Sequence, residues 1–202
     1  MTHLWIGLLN FFSGLEFRIA DRLGEVPAVL FHFFLFWALP VIFLYLPVPF
    51  FPVLGVAAAG FYIFILIGDI FFSVFGHDKL EKKRGMIDIT SVQEIRQEIL
   101  GALVKYCGGV VSFATIFNGL QILLRGRAFA IPDPSPVPFF DLLFFSIVTI
   151  ATVGYGDIHP VHWVSRLFTA AEIIFGLGFV LLLFTMLISV YIDIQQKRRK
   201  NP

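Results

Sequence analysis

Residues 149–157 read Thr149-Ile150-Ala151-Thr152-Val153-Gly154-Tyr155-Gly156-Asp157. Two glycines spaced two apart can adopt backbone angles closed to other residues, so the carbonyls of this run can all turn toward one axis. The Thr152 hydroxyl can add a further oxygen below them. A row of oxygens turned to one side is chemistry for holding a dehydrated cation. No nucleophile–base set, phosphate-cradling loop or pair of catalytic carboxylates stands elsewhere in the sequence. The single cysteine, Cys107, excludes an intrachain disulfide and, lying in an apolar run, reads as a buried inert thiol. His159 and His162 come after the glycine run at i, i+3 spacing; an exposed polar rim is the default reading and a metal or pH site the alternative.

The elements that must position this run are those of a membrane protein. Of 202 residues, 58% are hydrophobic and 14% charged, with a mean hydropathy of +0.87. Soluble domains stand nearer a quarter charged. The net charge of +1 gives no reason to expect a nucleic-acid partner. A helix needs roughly 20 apolar residues to span a bilayer. Four segments qualify, at about 28–46, 51–75, 103–124 and 163–192. Pro47, Pro49 and Pro52 force a tight turn between the first two, which therefore form a hairpin. The apolar stretch 139–150 is too short to span. It comes after the proline-rich run 132–138, which cannot continue a helix. The expected fold is an all-α membrane protein with four transmembrane helices plus one re-entrant helix and loop per subunit.

Residues 4–19 place Leu4, Leu8, Phe11, Phe12, Leu15 and Ile19 on one helical face, predicting an amphipathic interfacial helix within 1–25. The hairpin occupies 26–76, a basic linker 77–101, and a basic tail 196–202. Ser91-Val92-Gln93-Glu94 is a capping-box pattern, so a helix starts there and runs along the membrane surface or straight into the third span. Lys79, Lys82, Lys83, Arg84 and Arg96 of the linker, the tail Lys197–Lys200, and Arg18 with Arg22 all fall on one side of a four-span topology. The positive-inside rule makes that side the cytoplasm, with both termini there and the cell membrane as location. Arg125 and Arg127 are the exceptions. The N-terminus lacks the pattern of a cleavable signal.

Thr152-Val153-Gly154-Tyr155-Gly156 matches the filter sequence of potassium channels. The order of spanning helix, short helix, filter and long helix with glycines, over about residues 100–195, resembles the pore module of the tetrameric potassium-channel superfamily. The resemblance implies a pore module over 102–195, with K⁺ coordinated at Thr152, Val153, Gly154 and Tyr155, and with Gly156 completing the filter. Tyr155 supports K⁺ over a nonselective pore, its ring bracing the filter from behind. Thr149 matches a family threonine below the filter, whereas Ala151 replaces the common threonine beside Thr152. Val148 sits where some members carry a glutamate. Asp157 is held in the family by an indole donor, but Phe144 and Phe145 stand where a tryptophan pair is expected. Asp157 must then find another partner or water. Gly176 aligns with the hinge glycine of the inner helix and serves either bending or close packing. Leu177, Val180, Phe184, Ile188 and Ile192 recur at three or four residues. That row faces the cavity and inner gate, or else the third helix or lipid. Glu172 is an intramembrane carboxylate, a functional hypothesis by default. It supports the filter from behind, senses protons, or is structural.

One chain supplies one filter strand, so the expected assembly is a homotetramer in the lipid bilayer. It would conduct K⁺ passively, with no cofactor beyond the permeant ion and no enzyme activity. Residues 26–75 contain no Lys or Arg, so the hairpin lacks the charges of a voltage sensor and opening should depend weakly on voltage. The alternatives are a nonselective cation channel and a nonconducting membrane assembly subunit.

Overall fold

Prolines set the boundaries of the first helices. A computed structural model describes residues 33–47, 50–75, 92–130 and 139–200. The expected interfacial helix, most of the basic linker, the proline-rich run and the last two residues of the tail lie outside them. Helix α1 opens as a π-helix over Phe34–Ala38 and continues as an α-helix over Leu39–Tyr45. The cause is Pro40, which has no N–H to return to Phe36 and whose ring crowds that carbonyl. The chain takes up one extra residue just before it, and Leu39 N–H bonds to Phe34 O, five residues back. Leu46 is extended (φ −70°, ψ 139°), as a residue preceding proline must be, and the helix stops.

Helix α2 spans Phe50–Phe75, α3 Val92–Leu123, α4 Phe139–Ile150 and α5 Trp163–Lys200. Three helices among the described residues carry stretches long and apolar enough to cross a membrane: Phe50–Gly68, Ile99–Leu123 and Trp163–Thr185. The first of the four expected spans is described from Phe33 onward. Helix α3 begins one residue after Ser91 and runs unbroken into its membrane stretch. Two short strands complete the described fold. β1 (Phe129–Ala130) and β2 (His159–Pro160) pair antiparallel, with Phe129 opposite Pro160 and Ala130 opposite His159.

Helix α3 is the central element and packs against α1, α2, α4 and α5. Its Phe113, Ala114, Ile116 and Phe117 are buried. Toward the hairpin it presents small residues. At Gly108 a Cβ would stand 2.5 Å from both Trp37 Nε1 and Tyr62 OH, and Gly119 lies directly under Val56. Close approach of this kind supplies dispersion contact where lipid removes the hydrophobic drive for helix pairing. A polar bond adds to it, since Asn118 Nδ2 donates to Tyr45 OH at 2.9 Å. On another face, Phe113 meets Phe175 and Tyr106 meets Phe179, at ring separations of 5.7 and 5.1 Å. These contacts dock α5. Cys107 corrects one expectation. It is exposed, because Tyr106, Gly109, Val110 and Phe113 take the packed face of α3 and leave Cys107 with Leu103 and Val104 on an outer one.

Candidate ion-conduction site

Helix α4 aims its last turn at the glycine run. Its carbonyls hold the start of that run: Thr149 O accepts from Thr152 N–H at 3.0 Å, and Val148 O from Val153 N–H at 2.9 Å. Beyond this point the backbone alternates. Thr152, Gly154 and Gly156 have φ of 59°, 58° and 82°, whereas Val153 and Tyr155 have negative φ. In an extended strand successive carbonyls point to opposite sides. Alternating left- and right-handed residues reverse every second peptide, so consecutive carbonyls can share one side. Glycine accepts positive φ at no steric cost. Thr152 does not, and its left-handed conformation costs about 1–2 kcal/mol. It is maintained by the amide bonds that Val148 and Thr149 accept on either side of it.

The run lies on the surface of the single chain, with residues 151–157 all exposed. Phe144 stacks on Tyr155, the rings 6.1 Å apart and 7° from parallel, so α4 supports the run through an aromatic pair. Phe145 is turned the other way. It is buried in a triangle of edge-to-face rings with Phe117 and Phe129, 5.4 and 5.3 Å away. Neighbouring positions on a helix point about 100° apart, so both rings cannot face the same loop. Asp157 finds its donor in the backbone, with Oδ1 accepting from Ile158 N–H at 2.9 Å.

Glu172 is fully buried, although it lies in the membrane stretch of α5. Its Oε1 is hydrogen-bonded to Ser146 Oγ, and Ser146 Oγ also stands 2.9 Å from Val110 O. One hydroxyl thus joins α3, α4 and α5. A serine hydroxyl has one proton. When that proton goes to Val110 O, the bond to Glu172 requires a proton on the carboxyl. Glu172 Oε2 is buried and has no hydrogen-bond partner among the described residues. Ser146 is the member of this knot that the sequence hides, since it reads as a small residue in an apolar helix. Its one signal is a hydroxyl in the middle of 139–150, with apolar residues on either side.

Gly176 stands where α5 crosses the end of α4. A Cβ there would lie 2.5 Å from Ile150 Cγ1 and 3.3 Å from Ile150 O, whereas one at Gly178 would meet nothing within 4 Å. Close packing therefore accounts for Gly176. Leu177, Val180, Phe184, Ile188 and Ile192 are all exposed in the single chain, and Phe175 and Phe179 are the residues that meet α3. The reading that places this row against the third helix falls. Thr149 is half-buried beside Val148. His159 and His162 occupy the β2 region, where His162 Nδ1 accepts from Val164 N–H at 3.3 Å.

Residues 103–193 match the family model described as "Ion channel". The chain is 39% identical over 72 residues to "Two-pore potassium channel 3" of Arabidopsis thaliana, covering 32% of this chain and 16% of that protein. It is 41% identical over 59 residues to "Two pore potassium channel c" of Oryza sativa subsp. japonica, covering 29% and 13%. With "Probable potassium channel protein 2" of Methanocaldococcus jannaschii it shares 31% over 85 residues, covering 39% and 25%. The aligned part thus spans a quarter or less of these curated relatives. No solved structure matches the chain significantly.

Proposed function

We propose, from the premise that the chain belongs to the potassium-channel superfamily through its ion-channel segment 103–193, that it forms a homotetrameric, K⁺-selective pore. The observation that carries the reading is the alternating-sign backbone from Thr152 to Gly156, exposed along one edge of the chain. A single strand of carbonyls encloses nothing. Four related by rotation would enclose an axis and replace the water around a dehydrated cation. K⁺ would be held by the carbonyls of Thr152, Val153, Gly154 and Tyr155 and by the Thr152 hydroxyl. Transport is passive and runs down the electrochemical gradient.

The exposed apolar row Val180, Phe184 and Ile188 would line the inner cavity, with Phe184 large enough to form a constriction that closes by dewetting. Glu172 and Ser146 would stiffen the pore from behind the filter. Gating charge is scarce, since 26–75 holds no Lys or Arg and steep voltage dependence needs several charges moved per subunit. Opening is therefore weakly voltage-dependent. The positive-inside distribution puts both termini in the cytoplasm and the Gly156 end of the filter outside, in the cell membrane.

Purified protein in planar bilayers under opposed K⁺ and Na⁺ gradients tests this. The reversal potential should follow K⁺, and Tyr155→Asp should shift it strongly toward the Na⁺ value. Equal permeability to both ions in the unsubstituted protein would leave the nonselective reading, and a silent bilayer the nonconducting one.

A further inference from the structure

Helix α3 ends in a turn that its own glutamine organises. Arg125 and Gly126 take left-handed angles, and Gly126 N–H returns to Gln121 O at 2.8 Å. The Gln121 side chain then reaches past the turn. Its Oε1 accepts from both Ala128 N–H and Phe129 N–H, each at 3.1 Å, and its Nε2 donates to Gly126 O at 3.3 Å. All the hydrogen-bonding capacity of the amide, save one N–H, is spent on holding the start of β1.

β1 in turn holds β2, which begins three residues after Gly156. Around the bridge, Ala128 O accepts from Val161 N–H at 3.0 Å and from Ser165 Oγ at 2.6 Å. The Phe129 ring is buried against Phe117 of α3 and Phe145 of α4. Ile158, between the glycine run and β2, is buried as well. A continuous chain of contacts therefore runs from Gln121 through β1 and β2 to the Gly156 end of the run. Its other end is tied directly to α4 through Val148 and Thr149.

We propose that Gln121 is a positioning residue for the Gly156 end of the ion filter. It would act through the β1–β2 bridge and moor that end to α3, an inference that rests on reading residues 152–156 as the conduction path. The residue touches no ion. It sets how far the Gly156 end can open when ions leave the cages.

Two substitutions separate the chemistry from the bulk. Gln121→Leu keeps the volume and removes the acceptor for two amides. Gln121→Glu keeps the acceptor oxygen but sets a second, anionic oxygen where the donor to Gly126 O stood. Backbone hydrogen–deuterium exchange of residues 157–165, read by mass spectrometry on the purified full chain, requires no conduction. Exchange there should rise about five- to thirtyfold in Gln121→Leu, as expected for losing one or two bonds worth about 1 kcal/mol each. It should rise less in Gln121→Glu than in Gln121→Leu, since the oxygen that holds the two amides is kept. In bilayers, Gln121→Leu should lose K⁺ current several-fold faster once K⁺ on the Gly156 side is replaced by Na⁺, with the initial K⁺/Na⁺ permeability ratio unchanged. Ser165→Ala, which removes the hydroxyl on Ala128 O, should act in the same direction and serves if the leucine variant does not fold. Unchanged exchange in Gln121→Leu overturns the mooring. Faster exchange with an unchanged current time course overturns the positioning role. An unsubstituted protein that passes no K⁺ current overturns the channel reading and the filter role with it, while exchange still reports whether the mooring exists.

Discussion

Alanine at Gly176 and alanine at Gly178 should move stability in opposite directions. Both glycines lie within α5, where exchanging glycine for alanine favours the helix by about 1 kcal/mol. At Gly178 nothing within the chain opposes this gain, because none of its atoms lies within 4 Å of the new methyl. At Gly176 the methyl would stand 2.5 Å from Ile150 Cγ1 and 3.3 Å from Ile150 O. Carbon atoms rest at about 3.5–4.0 Å, so the shortfall is about 1 Å. Ile150 is buried and β-branched, with little freedom at χ1, so relief must come from displacing the last turn of α4. Overpacking of this kind costs about 1–3 kcal/mol. The net change at Gly176 then lies between about zero and 2 kcal/mol of destabilisation per subunit. Gly178→Ala should exceed it in stability by about 1–3 kcal/mol. Heating detergent-purified protein and following the intact fraction by size-exclusion chromatography ranks the variants. In an Ile150→Ala background the methyl at 176 has room, and Gly176→Ala should become stabilising there, a sign change that a coupling cycle isolates. Gly176→Ala as stable as Gly178→Ala in the unsubstituted background would refute the steric argument and restore Gly176 as a freely bending hinge.

The two phenylalanines of α4 should respond unequally to tryptophan. Phe145→Trp overfills the ring triangle with Phe117 and Phe129 and should destabilise by about 1–3 kcal/mol, while Phe144→Trp extends a half-exposed ring stacked on Tyr155 and should be tolerated; heat stability measured in parallel checks the order. Glu172→Gln keeps a donor and an acceptor toward Ser146, whereas Ser146→Ala leaves a buried carboxyl without its partner, at about 1–3 kcal/mol. The serine variant should therefore be the less stable of that pair in the same assay, and the reverse order would count against the three-helix knot.

Much of the fold is legible in the sequence, for reasons that differ by element. The short helix expected at 139–150 forms at Phe139–Ile150 because proline precedes it and the glycine run comes after it. The capping pattern at Ser91 locates the start of α3, and the apolar lengths locate α2 and α5. The π-turn of α1 is hidden, although Pro40 is in plain view, because a proline tells that a helix is disturbed and not how. The β1–β2 bridge is also hidden, since strands of two residues have no period to detect. Within the site, positive φ at Gly154 and Gly156 stems from residue type, but the same angle at Thr152 is imposed by α4. The burial of Glu172 is signalled by its depth in an apolar helix. Its partner, 26 residues away, is a product of tertiary packing that no local pattern encodes. The same holds for Phe145, whose direction depends on where Phe117 and Phe129 stand.

The seam between the hairpin and α3 bears on where this protein can be cut. The match to the ion-channel family model begins at residue 103, yet Asn118, inside the matched segment, meets Tyr45, outside it. Gly108 and Gly119 likewise lie bare beneath Trp37, Tyr62 and Val56. Excising residues 103–193 would turn that seam toward acyl chains, which offer an amide no partner and fill the glycine notches poorly. The stretch that inheritance marks out is thus smaller than the unit that can stand alone in a bilayer. A segment cut from this chain to stand alone in a bilayer has to carry its hairpin with it.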